Sequence, residues 1–81
     1  MYDINRISIQ KVVMLLKIDM LIRQIREEKN ISLDELSKEA NVSKAHLSYI
    51  ERNKKEPTIS VLVKISKALN VEVDDLYKIE W

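Results

Sequence analysis

The chain contains no glycine and only one proline in 81 residues. Glycine is the usual residue wherever backbone must adopt positive φ, above all at the C-terminal ends of helices and in two-residue hairpins. Without it, Gly-rich phosphate loops and dinucleotide fingerprints cannot be written, and another residue type must end the helices. Asparagine is the best substitute in the left-handed region. Asn30, Asn41, Asn53 and Asn70 each follow a stretch with apolar residues three or four apart. These four asparagines are therefore expected at positive φ, as helix ends.

Start signals precede the same stretches. Ser32 followed by Glu35 has capping-box spacing. Ser43 and Thr58 stand where N-caps are needed, and Asp19 is placed to cap a helix beginning at residue 20. The resulting helices are 20–29, 33–40, 44–52, 59–69 and a short one at 73–78. Their inward residues are Ile22 and Ile25; Leu33, Leu36 and Ala40; Leu47 and Ile50; Ile59, Leu62, Ile65 and Leu69; Val73 and Leu76. No strict apolar–polar alternation stands out after residue 20, so the expected class is all-α. The segment before it is dense in Ile, Val and Leu without clear periodicity and is read as either helix or strand. The chain divides into an extension (1–19), a helical domain (20–78) and a tail (79–81).

Composition excludes several functions. There is no cysteine, hence no disulfide, thiolate nucleophile or Cys-based zinc site. A single histidine, His46, cannot build a multi-His metal centre and is expected on an exposed helix face. The adjacent carboxylates Glu27–Glu28 and Asp74–Asp75 point apart on helices, and no Ser–His–Asp spacing suggests a nucleophile–base pair. The chain is expected to be neither an enzyme nor a cofactor or metal carrier, and no small-molecule ligand is evident. The longest apolar run is too short for a signal peptide or a bilayer span, so membrane association is not expected and a cytoplasmic location is. Net charge is +1, from 14 Lys+Arg against 13 Asp+Glu, so any basic patch must be local. One exists: between Lys44 and Lys55 there are four basic residues and one acidic, a local balance of +3.

The most informative segment is LDELSKEANVSKAHLSYIE, from Leu33 to Glu51. Leu36, Ala40, Val42, Leu47 and Ile50 are apolar, Ser37 is small, and Asn41 can turn the chain. Two helices that cross steeply through a short turn need a small residue at their close approach and a positive-φ residue in the turn. They also need apolar residues where both pack on a third helix. The outer face of the second helix, Lys44, Ala45, Ser48, Tyr49 and Arg52, is then free to enter a major groove.

With Ile25–Arg26–Glu27–Glu28–Lys29, Ser32–Leu33–Asp34–Glu35–Leu36, Val42–Ser43, Ile50–Glu51–Arg52–Asn53, Pro57–Thr58 and Ala68–Leu69–Asn70–Val71 in this order, the chain resembles the Cro/phage-repressor-type (xenobiotic-response-element, XRE) helix-turn-helix family over residues 20–77. The resemblance implies a five-helix, lambda-repressor-like domain that binds double-stranded operator DNA as a homodimer and regulates transcription, as a repressor. By the same resemblance, Lys44, Ala45 and Tyr49 reach base edges, with Ser48 beside them. Ser43, Arg52, Lys54 and Lys55 contact phosphates. Arg26 and Glu51 form an internal ion pair serving the fold. Leu33 departs from the family, which often has a phosphate-holding Gln there. Restriction–modification controllers and antitoxins are alternatives of the same fold; a protein-interaction module that does not read DNA is the alternative from another class. Because the family match begins at Met20, residues 1–19 are also open to being a translated upstream region.

Overall fold

The computed structural model describes residues 17–80. The elements in order are β1 (Lys17–Met20), α1 (Ile22–Glu28), α2 (Leu33–Ala40), α3 (Lys44–Glu51), α4 (Ile59–Leu69), a 3-10 turn (Val73–Leu76) and β2 (Tyr77–Glu80). Among the described residues, ten buried hydrophobic ones form the core: Ile22, Leu36, Ala40, Val42, Leu47, Ile50, Leu62, Ile65, Leu69 and Leu76. Every helix contributes to it, so each apolar stripe is closed by the others.

Helix punctuation follows the residues expected to supply it. Asn30, Asn41, Asn53 and Asn70 have φ of 58°, 54°, 56° and 56°. Ser32 Oγ accepts from the Glu35 N–H at 3.0 Å, and Glu35 Oε1 accepts from the Ser32 N–H at 3.4 Å, the reciprocal pair of a capping box. Ser43 Oγ accepts from the His46 N–H at 3.1 Å, and Thr58 Oγ1 from the Val61 N–H at 3.2 Å.

Among the described residues the class is mostly helical rather than all-α, with four helices instead of five. The stretch expected as a fifth helix is a single 3-10 turn, and the chain is already extended at Tyr77 (φ −147°, ψ 159°). Residues 77–80 pair antiparallel with 17–20 in the register Lys17↔Glu80, Ile18↔Ile79, Asp19↔Lys78 and Met20↔Tyr77. Both strands alternate charged and apolar residues, so the ribbon has one charged face and one apolar face. Pairing displaces the helix at both ends. Asp19 lies in β1 and caps nothing; α1 starts at Ile22 without a side-chain cap, and the Leu21 N–H donates to the Leu76 carbonyl at 2.8 Å. The remainder of the extension, 1–16, and residue 81 lie outside the described residues.

Ile59 is also placed differently from expectation, at 77% exposed. It is the first residue of α4, so although its spacing fits the apolar stripe it stands before the turns of the helix that meet the core. Among the described residues no helix is long and apolar enough to cross a membrane.

Candidate nucleic-acid interface

The turn between α2 and α3 is fixed by short-range chemistry. Asn41 takes the left-handed conformation that reverses the chain. Ser37 Oγ donates to the Val42 carbonyl at 2.7 Å, and the Val42 N–H donates to the Ser37 carbonyl at 3.2 Å. The sequence marks Ser37 only as small; its hydroxyl also satisfies the turn. The signal was the residue type: alanine is as small and offers no donor.

A second restraint reaches α3 from α1. Arg26 Nε donates to Glu51 Oε2 at 2.9 Å and Nη2 to Oε1 at 3.1 Å, a two-pronged ion pair. Arg26 Nη1 donates to the Ile31 carbonyl at 3.0 Å, so the guanidinium also ties down the α1–α2 connection. The two side chains are only 12% and 6% exposed. Hydrogen bonding to Glu51 outweighs partial burial and raises the Arg26 pKa above its ordinary value.

With Leu47 and Ile50 buried, the opposite face of α3 is left to solvent. Lys44, Ala45, Tyr49 and Arg52 are exposed, and Ser48 is half-buried at the margin. Tyr49 is 49% exposed. The Arg52 guanidinium carbon lies 5.2 Å from the centre of its ring, and Arg52 Nε donates to the Ser48 carbonyl at 3.3 Å. Arg52 is thus laid along α3 by a cation–π contact. Ser43 uses its oxygen as a cap acceptor, and its O–H remains able to donate. Lys54 and Lys55 are exposed in the loop after α3. The Asn53 side chain ties this loop to the ribbon, Oδ1 accepting the Met20 N–H at 3.2 Å. His46 departs from its expected exposure: it is half-buried, and its Nε2 is shielded from solvent without a hydrogen-bond partner among the described residues. Leu33, where the family often has Gln, packs partly against the core.

A helix-turn-helix family model matches residues 22–76. The transcriptional regulator SinR of Bacillus subtilis is 48% identical over 56 residues, covering 68% of this chain and 50% of SinR. The Escherichia coli regulator SutR is 44% identical over 50 residues, covering 62% of this chain and 28% of SutR. A crystal structure of SinR in complex with DNA superposes with a TM-score of 0.63 at 48% identity, covering 65% of this chain and 86% of that one. The chain spans about half the length of SinR and less of SutR. The capped α2, the left-handed Asn41 turn and an α3 buried on one face only agree with the sequence match: the chain belongs to the helix-turn-helix family, of the Cro/phage-repressor (XRE) type.

Proposed function

We propose that this chain is a sequence-specific double-stranded DNA-binding transcriptional regulator, a repressor acting in the cytoplasm as a homodimer. The observation that carries the reading is the one-sided burial of α3. Leu47 and Ile50 anchor it, the Arg26–Glu51 pair fixes its C-terminal turn, and its free face offers donors, a methyl group and an aromatic ring in a basic setting. The likeness to SinR, which has been solved with DNA, supports the same reading.

In this reading α3 lies in the major groove. Lys44 donates to guanine O6 or N7, the Ala45 methyl meets a thymine methyl, and Ser48 and Tyr49 complete the base-facing set. Ser43, Arg52, Lys54 and Lys55 bind phosphates, which set register without reading sequence. The DNA-binding unit is 20–78, with 1–19 as extension and 79–81 as tail. No catalytic step is assigned to any residue. One domain of this size makes a small DNA interface, so specific binding calls for two half-sites about 34 Å apart.

The test is selection of bound sequences from random DNA, followed by gel-shift titration across salt concentrations. The expected result is a two-fold-symmetric consensus and an affinity that falls steeply with salt. Absence of any enriched sequence and of any low-salt complex would leave the protein-interaction module as the better reading.

A further inference from the structure

The two-stranded ribbon is half-finished. Each strand has four residues, and a lone two-stranded hairpin is marginal in water. Its apolar face is only partly used: Met20 and Tyr77 pack on the core, while Ile18 and Ile79 are each 41% exposed.

Its hydrogen-bond pattern says which backbone groups point outward. In an antiparallel pair, opposite residues alternate between bonded to each other and not. Continuing the register by one step pairs Leu21 with Leu76, and the Leu21 N–H does donate to the Leu76 carbonyl. The Asp19–Lys78 and Lys17–Glu80 pairs are then the bonded ones. The backbone groups of Ile18, Met20, Tyr77 and Ile79 point away from the ribbon. The Met20 N–H confirms this by going to Asn53 instead of across the ladder. Ile18, Met20, Tyr77 and Ile79 all line one groove with Asn53, Lys54 and Pro57, so the groove favours neither strand; what differs is the edge backbone. At the outer edge of β1 the Met20 N–H is taken by Asn53, and no such bond to the outer edge of β2 is found among the described residues.

We propose that the free edge of β2 pairs with the β2 edge of a second copy of this chain, giving a four-stranded sheet in the order β1–β2–β2–β1. This deepens the homodimer reading above and rests on it. The strand is complementary to itself. Antiparallel pairing about Ile79 sets Ile79 against Ile79, bonded through the N–H and C=O groups that point outward. It also sets Lys78 of each copy directly against Glu80 of the other. Opposite charges there are stabilising and like charges destabilising. Charged residues at an edge ordinarily deter pairing; here the two-fold axis matches each with its counter-charge. On the other face, Ile18 and Ile79 of both copies become one apolar strip. Pairing about Ile79 overlaps the two strands over residues 78–80 only, which buries less than the roughly 1,200–2,000 Å² of a standard interface, so the dimer is concentration-dependent.

The test is analytical ultracentrifugation of the full chain, without DNA, at about 10 to 500 μM, using Lys78→Glu, Glu80→Lys and their equimolar mixture. Each reversal places two like-charge contacts across the axis, and each alone is expected to weaken dimerisation about tenfold or more. In the mixture, a dimer of one variant with the other again sets an acidic side chain against a basic one at both contacts, so dimers return. That restoration separates edge pairing from damage to the hairpin: each reversal also creates a like-charge pair inside its own ribbon, with Asp19 or Lys17, which mixing does not relieve. Ile79→Pro, which removes the outward N–H and the Ile79 side chain but no bond of the β1–β2 ladder, is expected to give monomer with a helical circular dichroism signal unchanged, whereas Ile59→Lys leaves the dimer intact. Dimers that persist in both reversals, or that are lost in Ile59→Lys alone, overturn the edge proposal while a homodimer stands. Monomer for the unaltered chain at every concentration, with one copy per DNA in the gel shift, overturns both.

Discussion

Asn53 Oδ1 accepts the Met20 backbone N–H at 3.2 Å, a bond spanning 33 residues of sequence. The residue that ends the proposed recognition helix therefore also fastens the ribbon to the loop carrying Lys54 and Lys55. Its backbone supplies a left-handed turn at φ 56°, and its side chain supplies a tertiary tie. Asn41, at φ 54°, ends α2 with its backbone N–H on the Ser37 carbonyl, and no side-chain tie of this kind is found there among the described residues.

This difference separates two substitutions that look alike. Asn41→Gly keeps access to positive φ and is expected to be neutral or stabilising by a few tenths of a kcal/mol at most. Asn53→Gly keeps the turn but loses the bond, at about 0.5–1.5 kcal/mol. Thermal unfolding of the two variants side by side measures the gap. Equal melting temperatures would mean that the Asn53–Met20 bond contributes nothing.

The Arg26–Glu51 pair is nearly buried, so breaking it strands a charge. Glu51→Gln or Arg26→Met alone should destabilise by about 3–5 kcal/mol, and the double change Arg26→Met with Glu51→Leu should recover most of that. Denaturant unfolding tests both statements. The pair raises the Arg26 pKa. A raised cation pKa gives stability that is present below the unfolded value and lost only as pH rises through the folded one. No loss attributable to Arg26 is therefore expected on titrating from neutral to mildly alkaline pH. A single substitution as harmless as a surface change would mean that the pair does not hold α3.

Features set by local chemistry were legible in the sequence. The four asparagines, the Ser32–Glu35 box and the Ser43 and Thr58 caps are each decided within a few residues of themselves. So is the stripe of Leu36, Ala40, Leu47 and Ile50. The ribbon was not legible in the same way, because residues 17–20 and 77–80 find each other across some 60 positions and each strand is only four residues long. Its signal was present as alternation, Lys–Ile–Asp–Met and Tyr–Lys–Ile–Glu, too short to decide between helix and strand at 17–19 or to displace the helical reading of residues 20, 77 and 78. Ile59 belongs to the apolar spacing of α4 but precedes the part that meets the core. For the interface, side-chain identity gave the exposed face of α3. The contacts that hold it, Ser37 to the Val42 carbonyl and Arg52 over Tyr49, depend on rotamers that no spacing encodes.

Two lysines on either side of α3 are expected to behave differently on DNA. Lys44, in the first turn, faces base edges in the proposed docking. Lys44→Ala should weaken the selected operator about five- to a hundredfold and relax preference at one base pair. Lys54 follows the helix and in the same proposed docking meets phosphate, so Lys54→Ala should weaken all sequences alike and reduce the salt slope by about one. Gel shifts with operator and scrambled duplexes at several salt concentrations distinguish the two. Identical profiles for both variants would show that the base-facing and phosphate-facing roles are wrongly divided.

In the proposed docking Tyr49 offers either its ring or its hydroxyl to DNA, and the position of Arg52 favours the ring. With the guanidinium 5.2 Å from the ring centre and Nε on the Ser48 carbonyl, the aromatic face orients Arg52 before DNA arrives. Preorganised side chains lose less entropy on binding. Tyr49→Phe preserves the cation–π contact and should bind operator within about twofold of the unaltered chain. Tyr49→Ala removes the stack and frees Arg52, and should weaken binding about tenfold. A double-mutant cycle with Arg52→Ala should then show coupling of about 0.5–1 kcal/mol. If Tyr49→Phe falls as far as Tyr49→Ala, and the cycle shows no coupling, the hydroxyl rather than the ring carries the contact, and Arg52 reaches phosphate without help from its neighbour.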